Sequence, residues 1–163
     1  MIRVGGQNID QSIANYLRST HNLVVGANAA ERIKQQIGTA RETQVVKLAT
    51  ARGLDVLSGI PGCVHIKSDE LQWAIADDVT MIAEGIHEVI EKTPPEISGD
   101  IHSSGVTLTG AGALLRNLAR DLQYRLGVDF RLASEPSLAT VLGLGRCIEA
   151  PDLMNRVLAD TTD

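Results

Sequence analysis

Gly105-Val106-Thr107-Leu108-Thr109-Gly110-Ala111-Gly112-Ala113-Leu114-Leu115 is the stretch that decides the fold. Val106 to Thr109 reads as a short strand, and the small residues Gly110, Ala111 and Gly112 turn the chain into a helix predicted over Ala113 to Leu126. A second strand from Val128 to Ala133 and a helix capped by Ser137 come next, then a short helix predicted from Asp152 to Ala159. This β-α-β-α order implies parallel strands with helices packed across them.

Working back toward the N-terminus, Ser68-Asp69-Glu70 opens a long helix. Its Leu71, Ile75, Val79, Ile82, Ile86 and Ile90 recur every three or four residues until Thr93-Pro94-Pro95 stops it. Between Thr43 and Ile66 the pattern is that of strands: Val45-Val46 with Leu48, Val56-Leu57, and Val64 with Ile66. Arg52-Gly53 and Pro61-Gly62 separate them, which predicts a three-stranded antiparallel meander. Two helices precede it. Asp10 is placed to cap the first, whose Ile13, Tyr16 and Leu17 share a face before the pattern loosens at Thr20 to Asn22. Asn28 and Glu31 have capping-box spacing at the head of the second, which carries Ile33 and Ile37 and ends at Gly38. Arg3-Val4-Gly5-Gly6 reads as the tail of a strand running into a turn.

The chain has 163 residues, 44% hydrophobic and 21% charged, with a formal net charge of −5. That composition belongs to a folded globular protein and opposes general attraction to nucleic acid. Trp73, Tyr16, Tyr124 and Phe130 are too few and scattered to form a base-stacking platform. Cys63 and Cys147 form no CxxC pair, and no signal peptide opens the sequence, so the expectation is a reduced, cytosolic chain. No apolar run approaches the ~20 residues of a membrane span, so no membrane insertion by this segment is expected.

For chemistry, the glycine turn is the strongest local signal, because small residues and free helix-start amides suit a nucleotide. A dinucleotide fingerprint is excluded. Its third glycine is replaced by Leu115, and Asp129 stands at the start of its strand, away from a ribose. Glu84-x-x-His87 has the spacing of half a di-iron site, but no second copy exists, so it reads as solvated helix polar groups. Arg116, Arg120 and Arg125 punctuate the predicted helix as a solvated face. No catalytic constellation is complete, and no metal-ligating set is evident.

Several runs together carry a resemblance. Arg3-Val4-Gly5-Gly6, Ala30-Glu31-Arg32-Ile33-Lys34 with Ile37-Gly38, Pro94-Pro95-Glu96-Ile97 with Asp100-Ile101, and Gly105 through Leu118 (GVTLTGAGALLRNL) resemble the C-terminal half of MreB, the bacterial actin-like, rod-shape-determining family. The likeness extends to about Glu149. It implies an α/β chain, the second domain of the actin-like ATPase fold. A small α+β subdomain (residues 1–67, with the end of a preceding strand) is then inserted into a ribonuclease H-like β/α subdomain (residues 68–163). It further implies ATP as cofactor, with Glu31, Arg32, Ile33 and Lys34 near ribose and adenine and the loop Gly110, Ala111, Gly112, Ala113 and Leu114 beside them. Like subunits in a filament and morphogenesis proteins such as RodZ are the implied partners.

Two positions depart from the family pattern: Ala111 replaces the middle of three glycines, and Gln36 replaces a glutamate. The two acidic, glycine-rich hairpins that hold phosphates and Mg²⁺ in the family have no counterpart in this sequence, so this chain alone is expected to be inactive as an ATPase. A fragment or natural truncation of such a protein, or a self-standing nucleotide-binding or regulatory module of the same superfamily, are the two readings.

Overall fold

The structure, a computed structural model, describes residues 4–150 and Asp152. In chain order the elements are α1 (Gly6–His21), β1 (Leu23–Val24), α2 (Ala27–Ile37), β2 (Leu48–Asp55), β3 (Pro61–Lys67), α3 (Ser68–Ala74), α4 (Ala76–Glu91), α5 (Pro95–Ser104), β4 (Val106–Leu108), a 3-10 turn (Ala111–Leu114), α6 (Leu118–Leu126), β5 (Phe130–Leu132) and α7 (Ala139–Glu149). The helix predicted from Asp152 to Ala159 lies outside the described residues apart from Asp152, as does Arg3 of the expected opening strand.

The parallel arrangement expected of the last third is present: β4 pairs with β5, Val106 opposite Phe130 and Leu108 opposite Leu132. The antiparallel sheet also forms, in the order β1-β2-β3, but with different members from those predicted. Its first strand is Leu23–Val24, set opposite Leu54 and Asp55. Val45 and Val46 lie outside the strands and are exposed, and Val56-Leu57 belongs to the turn. Arg52-Gly53, predicted as a turn, runs through the middle of β2, because β1 crosses there at close range: a Cβ on Gly53 would sit 2.1 Å from the carbonyl oxygen of Val24. Glycine is therefore needed for contact, where the sequence alone suggested a break.

Other boundaries move for local reasons. α1 starts four residues before Asp10, with Gly5 as its cap and Asn8 Oδ1 accepting from the Gly5 amide at 3.0 Å. α2 starts at Ala27, so Asn28 lies inside the helix and no Asn28–Glu31 box forms. The long helix is two helices joined at Ile75 (φ −107°, ψ 5°). α3 packs on α1, α2 and β3 whereas α4 packs on α1 and α6, with Leu71 and Val79 buried in the two segments. After Pro94 the chain forms α5, which the pattern did not announce. α7 is capped at Leu138, not Ser137.

The core runs continuously through Ile9, Ile13 and Leu17 of α1, Ile33 and Ile37 of α2, Ala49, Ala51 and Ile66 of the sheet, Leu71, Ile75 and Val79, and Leu118, Leu122 and Phe130. It ties the α1–α2 pair to the segment that carries the glycine turn.

The β2–β3 turn is fixed by Asp55, whose carboxylate accepts from the amides of Ser58 (2.8 Å) and Leu57 (3.0 Å) and from the Ser58 hydroxyl (2.9 Å). These donors, the Ser58 amide foremost, hold its carboxyl below the usual carboxylate range. The stabilisation of this turn is thus fully present above the ordinary value of about 3.9 and lost as pH falls through the lower folded value. An NMR titration of the Leu57 and Ser58 amides should give a midpoint below that ordinary value, moving upward in Ser58→Ala. A midpoint at or above it would remove the assignment.

Candidate functional site

A cavity of about 660 Å³ lies between the start of α1 and one face of α2 on one side and the 3-10 turn after β4 on the other. Gly6, Gln7 and Asp10 come from α1, Ala27, Asn28, Glu31, Lys34 and Gln35 from α2, and Ala111, Gly112, Leu114, Leu115 and Arg116 from the glycine turn and the residues after it. The volume is in the ordinary range for small-molecule sites. The first residues of both helices, Gly6 and Gln7 of α1 and Ala27 and Asn28 of α2, are on its wall.

Of the residues singled out in the sequence, Glu31, Lys34, Ala111, Gly112 and Leu114 are brought together on this cavity. Arg32 is exposed and does not line it, and Ile33 faces the core. Gly110 and Ala113 also stand off the wall, Ala113 being buried. Gln36 is exposed and outside the lining, so the departure from glutamate there is not at the cavity wall.

Glu31 and Lys34 share a wall but have different jobs. Glu31 is exposed, and its carboxylate accepts from the Gln35 side-chain amide at 3.4 Å. Lys34 is committed inward: its Nζ donates to the Gly6 carbonyl at 2.9 Å and pairs with Asp10 Oδ1 at 2.8 Å. The pair is mostly buried, the two side chains being 16% and 14% exposed. It pins the first turn of α1 to α2. Gly112 offers room, since a Cβ there would meet nothing within 4 Å.

The segment predicted as one helix from Ala113 to Leu126 is interrupted. The 3-10 turn ends at Leu114, Asn117 takes a left-handed conformation (φ 60°), and α6 starts at Leu118. In the gap Arg116 pairs with Thr39 in a parallel bridge, and the Ala40 amide donates to the Arg116 carbonyl at 2.9 Å. The Arg116 guanidinium donates to the carbonyls of Ile37 (3.0 Å) and Gly38 (3.1 Å) at the end of α2, and Asn117 donates to the Thr39 hydroxyl at 3.0 Å. Arg116 therefore belongs to the architecture of the site and not to a solvated face. Arg125 departs from that expectation too, bonded to Asp121 at 2.6 Å and to Thr80 at 3.1 Å.

The sequence matches, over residues 1–156, the family described as MreB/Mbl protein. The chain belongs to the MreB/Mbl family. It is 35% identical over 152 residues to the cell shape-determining protein MreB of Escherichia coli (strain K12), covering 93% of this chain and 44% of that protein. To the cell shape-determining protein Mbl of Bacillus subtilis (strain 168) it is 33% identical over 151 residues, 93% of this chain and 45% of that one. The chain thus spans less than half the length of these family members. Among solved structures it is similar to MreB5 of Spiroplasma citri bound to ADP, with a TM-score of 0.89 and 28% identity over 96% of this chain and 47% of that one. The MamK double helical filament shares the fold, with a TM-score of 0.67 at 19% identity over 81% of this chain and 40% of that one. The expected actin-like α/β fold is therefore the fold observed.

Asp10, Arg116 and Thr39 are the site residues that sequence reading missed. The Arg116 contacts generate a prediction. Arg116→Ala should destabilise the fold by about 1.5–3 kcal/mol, the worth of charge-assisted hydrogen bonds to the α2 carbonyls. The Ala40 amide should lose protection in hydrogen exchange. Arg116→Lys should restore little, because an ammonium cannot span two carbonyls as the guanidinium fork does. Urea melts and exchange rates unchanged in Arg116→Ala would show the two walls to be held by something else.

Proposed function

We propose that this chain is the C-terminal domain of an MreB-like bacterial actin, divided near residue 67 into the two subdomains expected from the sequence. Its role is to supply the adenosine side of a nucleotide cleft and part of a filament interface in a cytoplasmic, shape-determining cytoskeleton. The observation that carries this reading is the cavity that joins the Glu31–Lys34 turn of α2 to the glycine turn, two segments about 80 residues apart in sequence that face one another across it. The similarity to MreB5 of Spiroplasma citri bound to ADP, and bound to AMPPNP, supports a nucleotide as the ligand.

The residues fit the nucleoside portion. Glu31 presents an exposed carboxylate able to accept hydrogen bonds from ribose hydroxyls, and the open space above Gly112 with the flank of Leu114 suits a flat base. Lys34 acts by holding α1 and α2 in register, since its donors are engaged. Phosphoryl transfer depends on positioned metal and phosphate contacts, and the acidic, glycine-rich hairpins that supply them in the family have no counterpart in this sequence, so our reading of the chain by itself is a binding domain.

Calorimetry should detect adenosine, ADP and ATP binding with affinities within about tenfold of one another, a spread of about 1.4 kcal/mol. Gly112→Leu, which fills open space without touching the fold, should abolish binding, and Glu31→Gln should weaken it. Phosphate release from ATP should stay at the no-protein background. ATP bound far more tightly than adenosine, or binding unaffected by Gly112→Leu, would place the ligand elsewhere.

A further inference from the structure

Backbone pairing in the antiparallel sheet leaves the outer edge of β3 free. The Asp55 amide donates to the Ile60 carbonyl at 3.0 Å, and the Ser68 amide to the Lys47 carbonyl at 2.9 Å. Both bonds extend the β2–β3 register, in which Gly53 faces Gly62, Ala51 faces Val64 and Ala49 faces Ile66. In an antiparallel ladder, pairs that exchange hydrogen bonds alternate with pairs that do not. Stepping inward from the two fixed ends, Gly62, Val64 and Ile66 bond to β2, whereas Pro61, Cys63, His65 and Lys67 direct their main-chain groups away from it. Among the described residues β3 is the last strand on that side of the sheet.

The two ends of this edge are closed. Pro61 has no amide to donate, and the Lys67 amide is taken by Glu70 Oε1 at 3.2 Å. Between them, the amides and carbonyls of Cys63 and His65 meet no partner among the described residues. An unpaired edge is a template for a further strand. The face beside it is basic: exposed Arg52 stands opposite Cys63, and His65 and Lys67 are exposed on the same side, with the Thr50 hydroxyl 3.1 Å from His65 Nδ1. Neither β2 from Leu48 to Leu54 nor β3 carries a carboxylate, although the whole chain has a net charge of −5. On the opposite face, Ile66 is in the core and Val64 packs against it.

We propose that β3 takes up an extended acidic segment of a partner protein as an added antiparallel strand. Residues of that strand opposite Cys63, His65 and Lys67 share the basic face, and those between them share the apolar face of Val64 and Ile66. The segment recognised therefore alternates Asp or Glu with apolar residues over roughly five positions. A second copy offering its own β3 would bring two sets of Arg52, His65 and Lys67 onto one continuous face, where like charges oppose pairing. Charge thus selects the occupant. Main-chain bonds supply the affinity of such an added strand, and the alternating side chains its specificity. No residue of this edge lines the cavity, so the docking does not depend on the nucleotide reading.

The test titrates the full chain with an end-capped peptide of alternating glutamate and valine, read by fluorescence anisotropy of a labelled copy and by amide hydrogen exchange. The expected result is saturable binding that weakens as salt screens the charges, with the Cys63 and His65 amides gaining protection. In an antiparallel added strand, the residues opposite Cys63 and His65 aim their amides at β3. N-methylation of the glutamate amides should therefore weaken binding by about tenfold or more, the scale of losing several main-chain hydrogen bonds, while N-methylation of the valine amides leaves it nearly unchanged. The protein is the same in both arms, so its folding cannot decide the outcome. On the protein side, Lys67→Glu and Arg52→Glu, both at exposed positions and checked by circular dichroism, should each weaken binding by about fivefold, the scale of one cross-strand charge pair, and favour a lysine–valine peptide instead. Three results overturn the proposal. One is the absence of saturable binding. Another is binding that ignores methylation of the glutamate amides, which is charge attraction without a strand. The third is protection of the Cys63 and His65 amides that rises with protein concentration and needs no peptide, which shows the edge to be filled by a second copy.

Discussion

Two hydrogen bonds from the Arg116 guanidinium, to the carbonyls of Ile37 and Gly38, give the cavity a second wall. The last turn of any helix leaves carbonyls without partners and a partial negative charge at its end. A guanidinium answers both needs at once, and its planar fork spans adjacent carbonyls as an ammonium cannot. Because Arg116 directly follows the glycine turn, satisfying α2 also fixes where that turn lies. The bridge between Thr39 and Arg116, with Asn117 on the Thr39 hydroxyl, adds a backbone connection at the same point. Segments far apart in sequence thereby become the two sides of one site.

The opposite side of the cavity depends on a buried charge. Lys34 reaches the Gly6 carbonyl and Asp10 from a mostly buried position. Such pairs contribute little net stability, because desolvation offsets the attraction, but removing one member leaves an uncompensated charge. Their effect is on placement: the first turns of α1 are held against the last turn of α2, beside the cavity they both line. The Glu-x-x-Lys spacing thus divides into an outward carboxylate available to a ligand and an inward ammonium that fixes the helix carrying it.

Much of this was legible in the sequence where the signal is local. The β-α-β order and the small residues at 110–112 announced the parallel pair and the turn between the strands, and Glu31 with Lys34 could be placed on one helical wall. What was not legible depends on tertiary contact. Arg52-Gly53 has the composition of a turn, and only the passage of β1 beside Gly53 makes it the middle of a strand. Val45-Val46 has strand composition but no neighbouring strand to pair with. Arg116 looked like one of three arginines on a helix because no local signal shows that Asn117 adopts a left-handed conformation and delays α6 to Leu118. Once the helix is interrupted there, Arg116 is free to turn toward α2.

The parts that build the cavity are held by contacts within the chain, and the parts that face outward are not. α1, α2 and the residues after the glycine turn share a continuous core and are joined by the Lys34 and Arg116 contacts. By contrast, α7 has no buried residue and leaves Val141, Leu142, Leu144 and Ile148 exposed. Among the described residues β4 and β5 form a two-stranded parallel sheet, an arrangement that ordinarily has more strands and cover on both faces. Family members whose matched portion is under half of their length have ample further chain with which to meet such surfaces. The cavity is therefore preformed by contacts within the chain, while apolar surface at α7 is left unburied. The Arg116 and Lys34 contacts that shape the cavity share no residue with α7.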